Sequence, residues 1–508
     1  MAKLAVPPLL VILVLLQSAT RLPVAETSTA DQEYMHRLAA ATGAERLLGW
    51  KADSDPCNGS WVGVTCAPFD GNRIIQIDVR GLLRGGGTLP ELDRQAGSLS
   101  HLRMLDLGDN NLTGPVPTLF LDRLLTLRLD GNAFSGLPHS FFRGMPELHY
   151  FSISDNPRLE EWGLWSDLLS LTELRVFNAS NANINGTLQV FLGNLGAFPA
   201  LAEVSLARNR LTGVVPEKLV SQSIAKLDLS SNGLSGSINF INNLASSITD
   251  LRLDHNHFSG PFPADLSGLY LLSVFSVAHN RLTGVVPPSL ARVWRLSWVS
   301  VSDNLLQGPV PELPDSVKTD FAEAAVKGSF CRLDVHGPCD QETSSLLSVA
   351  AAFHYPEILA VSWRRDDPCD GWLGIHCGDG DGGGGGRNKV TGVNLSRLGI
   401  NGTIDPAFAS LLYLEAILLA GNNLTGTVPA SILQMPSLRV LDVSNNALEG
   451  TVLSVRHDVL ILADGNRGGL NVTAIAASGS FSSSRFQLSE ATTPFLTFAA
   501  VFVALFGY

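Results

Sequence analysis

The chain has 508 residues, with 35 Lys and Arg against 47 Asp and Glu and a formal charge of −12 at pH 7. Charged residues are only 16% of it, below the roughly 25% of an average soluble domain, and an acidic chain with few basic clusters is a poor nucleic-acid binder. An apolar content of 45% argues against wholesale disorder.

The N-terminus reads as a secretory signal over residues 1–25. Lys3 precedes the apolar run Leu4 to Leu16, and small residues follow between Ala19 and Ala25. The run is shorter than the roughly 20 residues a membrane span needs. The mature chain is therefore expected in an oxidising compartment, where its six cysteines fit disulfides better than metal or redox chemistry. Six cysteines allow 15 connectivities. Spacing favours three local pairs: Cys57 with Cys66, Cys331 with Cys339, and Cys369 with Cys377.

An internal repeat dominates the mature chain. The segment LAEVSLARNRLTGVVP from Leu201 matches LSVFSVAHNRLTGVVP from Leu272, and both fit L-x-x-L-x-L-x-x-N-x-L-x-G-x-x-P. The template Asn falls at Asn110, Asn132, Asn156, Asn209, Asn232, Asn256, Asn280 and Asn304, then again at Asn422 and Asn446. In L-x-L the apolar side chains point inward and their neighbours outward, as strand faces alternate. One repeat cannot bury its Leu stripe alone, so neighbours must stack into a continuous core. The inward Asn is expected to satisfy backbone groups of adjacent turns, since an unsatisfied buried amide costs on the order of 1–3 kcal/mol. Two slots break the rule: Ala182, with Asn181 and Asn183 as substitutes, and Leu398. Both predict a weaker ladder.

The predicted fold is an α/β repeat solenoid, a leucine-rich-repeat right-handed superhelix. A disulfide-containing island separates two arrays of about ten and three repeats. The expected organisation is an N-terminal cap (26–73), repeats 1–10 (74–313), an island (314–389), repeats 11–13 (390–453), a C-terminal end (454–475), a polar spacer (476–493) and a hydrophobic tail (494–508). The island repeats the start of the mature chain: Asp31-Gln32-Glu33 leads through Trp50 to DPCNGSWVGVTC, and Asp340-Gln341-Glu342 through Trp363 to DPCDGWLGIHC. It therefore reads as a second cap, with Trp61 and Trp372 covering the first apolar layers. The GDGDGGGGG stretch at 378–386 is an insertion without the strand–GK[ST] context of a phosphate loop.

The WxGVxC-type cap and LxGxxP repeats resemble the extracellular domain of plant leucine-rich-repeat receptor-like kinases. The island sequences SFC at Ser329–Cys331 and SLLSVAAAFHYPEILAVSWRRDDPCDGWLGIHC at Ser345–Cys377, with ADGNRGGLN at Ala463–Asn471, resemble the transmembrane-kinase subfamily in particular. The resemblance implies cell-surface signalling, including auxin responses with apoplastic auxin-binding partners. The kinase itself is absent from this sequence: no VAIK lysine, HRD loop or DFG follows.

No GxSxG, HExxH or CxxC constellation occurs, no cofactor is implied, and no enzyme activity is expected. The HxH of His255 and His257 flanks the ladder Asn256 and reads as two solvent-facing side chains rather than a metal pair. Binding is the remaining class, on the concave face. Alternation offers Arg128 and Asp130 in repeat three, Tyr150 in repeat four, Asp250, Arg252 and Asp254 in repeat eight, and Trp298 in repeat ten. An exposed aromatic such as Trp298 is favoured at interaction sites. Sequons stand at Asn58, Asn111, Asn178, Asn185, Asn394, Asn401, Asn423 and Asn471. Glycans at Asn178 and Asn394, both at the x of L-x-L, would narrow the open concave surface chiefly to repeats six to ten. The expected partner is an apoplastic protein, peptide or hormone-binding protein, with a co-receptor beside it. The alternative is a cell-wall protein that binds polysaccharide or inhibits a pathogen polygalacturonase, against which the island argues.

The tail, TTPFLTFAAVFVALFGY from Thr492, is apolar to its end. Small residues at Ala477–Ser480, a polar spacer and this tail fit a GPI-anchor signal. A receptor's single span cut short fits too, because fifteen residues from Pro494 fall below the roughly 20 needed. Either places the chain at the extracellular face of the plasma membrane, and a secreted form is the third reading.

Overall fold

The computed structural model describes residues 26–474 except 69, 218, 220–222, 245–246, 327, 333–336, 379–387 and 455–457. The leader, most of the glycine insertion, the spacer and the tail lie outside the described residues. Among the described residues no helix is long and apolar enough to cross a membrane.

One 12-stranded sheet lines the first array. It opens with Val64–Ala67 antiparallel to Arg73–Asp78, then adds one short parallel strand per repeat through Trp298–Ser300 to Lys318–Thr319. Pairing is in strict register, so equivalent residues stack in columns: Lys226, Asp250, Val274 and Trp298 form one, and Asp228, Arg252, Ser276 and Ser300 another. Inward positions such as Leu227, Leu251, Phe275 and Val299 are completely buried; of their outward neighbours, Lys226, Asp228, Asp250, Arg252, Val274 and Trp298 stay in reach of solvent, while Ser276 and Ser300 are buried. A second, seven-stranded sheet follows the LxG segments on the other edge, from Trp162–Gly163 to Leu305–Gln307. Together these make a leucine-rich-repeat solenoid.

The template asparagines form a hydrogen-bonded ladder. Asn256 accepts the Leu234 N–H at 3.0 Å and donates to the carbonyls of Leu229 and Leu253 at 2.9 and 3.1 Å. At the Ala182 slot other groups take over. Trp162 Nε1 donates to the Ala182 carbonyl at 2.6 Å, Asn183 reaches Leu159 O at 2.8 Å, and Asn209 Oδ1 accepts from both Ala182 and Ile184. Asn181 instead pairs with Asp155 on the surface. At Leu398 the next asparagine, Asn422, accepts the orphaned N–H at 3.1 Å. The first array ends on Asp320, whose carboxylate takes Ser300 Oγ and the N–H groups of Val301 and Ser302 at 2.7–3.0 Å. One side chain thus satisfies the strand edge where Lys318–Thr319 stops.

The second array has its own sheet, in which Ile375–Gly378 runs antiparallel to Lys389–Asn394 and parallel strands continue to Leu460–Leu462. That last strand lies beyond the expected third repeat. Asn466 completes its ladder, donating to Val443 O and Ala463 O and accepting from Leu448 N.

The two caps match in detail. Each stacks two tryptophans, Trp50 on Trp61 at 5.0 Å and Trp363 on Trp372 at 5.3 Å. Each has a glycine with positive φ, Gly63 and Gly374, where a Cβ would stand 2.1 Å from the carbonyl oxygen of Asp78 or Asn394. The disulfides Cys57–Cys66, Cys331–Cys339 and Cys369–Cys377 are formed. Cys331 N–H bonds Gly308 O at 2.9 Å, which ties its loop to the last long-array turns.

The caps differ at the carboxylate that meets the opening strand, Asp31 at Ile74 N and Glu342 at Val390 N. Asp31 is fully buried and holds Arg73 through two hydrogen bonds, whereas Glu342 accepts the Val390 N–H at 3.3 Å with no described cation within ion-pair distance. Burial pushes the Glu342 carboxyl above the ordinary range, opposed only in part by the Val390 N–H and Lys389. The stability tied to this shift is full below the unfolded Glu value, about 4.3, and is lost as pH rises through the raised folded value. Glu342→Gln should therefore raise Tm near neutral pH, by an effect within about 1 kcal/mol for a half-exposed group, and leave it unchanged at pH 4. Thermal denaturation at the two pH values checks this; an equal Tm loss at both would contradict it.

Candidate binding surface

The concave sheet gathers the outward residues into two groups. The first spans repeats one to four. Arg80 bridges Asp109 and Asp130 at 2.9 and 2.6 Å, and Arg128 lies 4.4 Å above the Tyr150 ring and 3.8 Å from Asp106. Asp106 is nearly buried, which pushes its carboxyl above the ordinary range against the Gly108 N–H and the two arginines. Arg128, Asp130 and Tyr150 are thus brought together, but into a network whose charges largely satisfy one another. Arg80 and Asp106 were not legible as members, because their partners sit one or two repeats away.

The second group spans repeats eight to ten. Asp250 holds Arg252 by two hydrogen bonds of 3.0 and 3.4 Å, which keeps the guanidinium protonated and fixes its plane. The guanidinium carbon stands 5.9 Å from the Trp298 ring centre, two strands away. Trp298 is half-buried by this arrangement rather than fully exposed. A cavity of about 470 Å³ opens here, lined by Arg208, Asp228, Arg252, Asp254 and Trp298 among others. A smaller hollow of about 250 Å³ adjoins it beside Glu203, Lys226 and Asp250.

The rim carries one left-handed residue per repeat, including Asp155, Asn181, Arg208, Ser231, His255, His279 and Asp303. His255 stacks on His279 at 4.1 Å, and the two rings bond Asp254 and Asp303 at 3.0 and 3.1 Å. His257 begins the outer strand His257–Pro261, so the two histidines of the HxH diverge. Cys331, Cys339 and Asp366 also gather within 4.8 Å, but both sulfurs are spent in a disulfide.

Among the sequons, Asn178 does lie on the concave strand, its Oδ1 accepting from Ser154 Oγ at 2.6 Å and Ser180 Oγ at 3.3 Å. Asn394 accepts from Ser396 N at 3.2 Å. Three others commit the amide nitrogen that would carry a sugar: Asn185 to Glu161, Asn423 to Asn401, and Asn471 to Gly469 O. Asn58 and Asn111 are exposed.

Stacked parallel strands, an asparagine ladder and an outward concave face define a leucine-rich-repeat protein, and the family comparisons agree. The model for the "Leucine rich repeat N-terminal domain" matches residues 37–67 and again 339–378, and the "Leucine Rich Repeat" model matches 101–122. The receptor-like kinase TMK2 of Arabidopsis thaliana is 37% identical over 396 residues, covering 76% of this chain and 42% of that kinase. The receptor protein kinase WSS1 of Oryza sativa subsp. japonica is 39% identical over 462 residues, with 81% and 42% covered. Among solved structures, a plant ice-binding protein is 26% identical at a TM-score of 0.48, over 57% of this chain and 91% of that one. The PEPR1–AtPEP1 structure is 20% identical at a TM-score of 0.45, over 92% and 58%. The chain belongs with the leucine-rich-repeat ectodomains of these plant receptor-like kinases, and it spans about 42% of their length.

Proposed function

We propose that the chain acts at the extracellular face of the plant plasma membrane as a partner-binding ectodomain in cell-surface signalling. Its concave face over repeats six to ten takes an apoplastic protein, peptide or hormone-binding protein, with a co-receptor as a second partner. No step of this reading requires catalysis by these residues. The observation that carries it is the Arg252–Trp298 pair at the mouth of the 470 Å³ cavity. It offers a fixed cation and an aromatic face, in a hollow of the size range that holds ligand groups. The sequence resemblance to the transmembrane-kinase subfamily makes an apoplastic auxin-binding protein the first partner to try.

Arg252→Ala and Trp298→Ala each truncate an outward side chain and leave the Leu core untouched, so folding should be kept. Each is expected to weaken partner association by about 2 kcal/mol, some thirtyfold. Binding isotherms with the purified partner check this. Unchanged affinity in both variants would move the site off this face.

A further inference from the structure

The second cap is docked against the end of the first array. Arg281 pairs with Glu357, Thr283 Oγ1 donates to Tyr355 O at 2.9 Å, and Gln307 Nε2 donates to Trp363 O at 2.9 Å. Beside these contacts lies a hollow of about 370 Å³. Arg281, Asp303 and Leu305 line it from the array, and Glu357, Val361 and Arg364 from the island. It shares no lining residue with the Trp298 cavity.

Its charged side chains have polar partners except one. Arg281 and Glu357 neutralise each other, and Asp303 lies 3.1 Å from the His279 ring nitrogen. Arg364 has no described carboxylate within ion-pair distance, and its Nε is buried without a hydrogen-bond partner. Its backbone is held in place: its carbonyl accepts Trp372 Nε1 at 2.9 Å and its N–H bonds Ser362 O at 2.9 Å. A buried guanidinium donor left unsatisfied is costly, and a carboxylate is the group whose geometry matches its fork. Next to it, Val361 is 54% exposed and Leu305 half-buried, an apolar wall without a cover among the described residues.

From this we infer that the junction between the first array and the second cap is a binding site for a carboxylate carried on a small apolar body. The carboxylate pairs with Arg364 and the body lies on Leu305 and Val361. A free organic acid and the C-terminal carboxylate of a peptide share this chemistry.

Saturation-transfer NMR on the whole chain tests it, with benzoate against benzamide and Ala-Leu-Val as free acid against its amide. The acids should receive transfer and the amides not, and Arg364→Gln should weaken acid binding at least about tenfold. Arg365→Gln, at the exposed neighbour, should leave it unchanged. Val361→Glu supplies the carboxylate from within and should abolish binding with the fold intact, which guards against a misfolded Arg364 variant. Transfer to benzoate alone assigns a small acid, and transfer to the tripeptide assigns a chain end. Equal transfer to acids and amides, persistence in Arg364→Gln and Val361→Glu, or no transfer to any probe at millimolar concentration would overturn the inference.

Discussion

Asp31→Ala is expected to destabilise the first cap by about 3–5 kcal/mol, the scale of breaking a buried ion pair from one side. Asp31 is completely buried and accepts four hydrogen bonds: Arg73 Nε and Nη2 at 2.8 and 2.9 Å, Leu99 N at 2.8 Å and Ile74 N at 3.3 Å. Its removal strands a largely buried guanidinium and two backbone donors at once. Arg73 keeps only Gly97 O and Ser100 Oγ, which carry no charge to balance it. The cap covers the first Leu layer, so its loss also wets the core below, including Ile74 and Ile77. Hydrogen exchange over residues 29–79 should rise while the second cap stays protected. Asp31→Asn keeps acceptors but not the charge, and should fall between. Wild-type protection in Asp31→Ala would show that the ion pair is dispensable.

Asn280→Ala should cost about 1–3 kcal/mol. Asn280 accepts Phe258 N at 2.9 Å and donates to Leu253, Val277 and Ala278 carbonyls at 3.0–3.1 Å, in a buried setting. Alanine leaves the buried Phe258 N–H unpaired, at on the order of 1–3 kcal/mol for an unsatisfied buried group, while the carbonyls of Leu253, Val277 and Ala278 keep Asn256 Nδ2, Asn304 Nδ2 and His255 N. The natural Ala182 shows what a tolerated gap requires. There, Asn209 accepts the Ala182 and Ile184 N–H groups, while Asn183 and Trp162 bond the carbonyls of Leu159 and Ala182. Urea unfolding followed by fluorescence measures the loss; a change under 1 kcal/mol would mean that water replaces the amide.

The ladder and the inward Leu stripe were legible because every repeat states them in the same register. The outward candidates Arg252 and Trp298 were legible from alternation alone, although their contact needed the strand register that sets them two repeats apart. What alternation could not show are bonds between different kinds of element. Asp31 meets Arg73 from 42 residues away, Asp320 closes a sheet edge beyond its last strand, and Trp162 reaches across to a neighbouring loop. The docking of Gln307 on Trp363 belongs to the same class, since nothing in either segment names the other. The expected weakness at Ala182 and Leu398 rests on one slot, but the groups that fill it come from adjacent turns.

Partners are expected to meet the concave face over repeats six to ten. A photo-crosslinking residue placed at Ser205, on a concave strand lining the smaller hollow, reads this directly. A matched probe at Arg143, beside a hollow that His139 and Trp165 also line away from the concave strands, is its control. With the chain displayed on plant cells, the Ser205 probe should crosslink to the partner, and Arg252→Ala with Trp298→Ala should abolish the product. Crosslinking from Arg143 alone, or from Ser205 undiminished by the two substitutions, would place the partner site off the concave face.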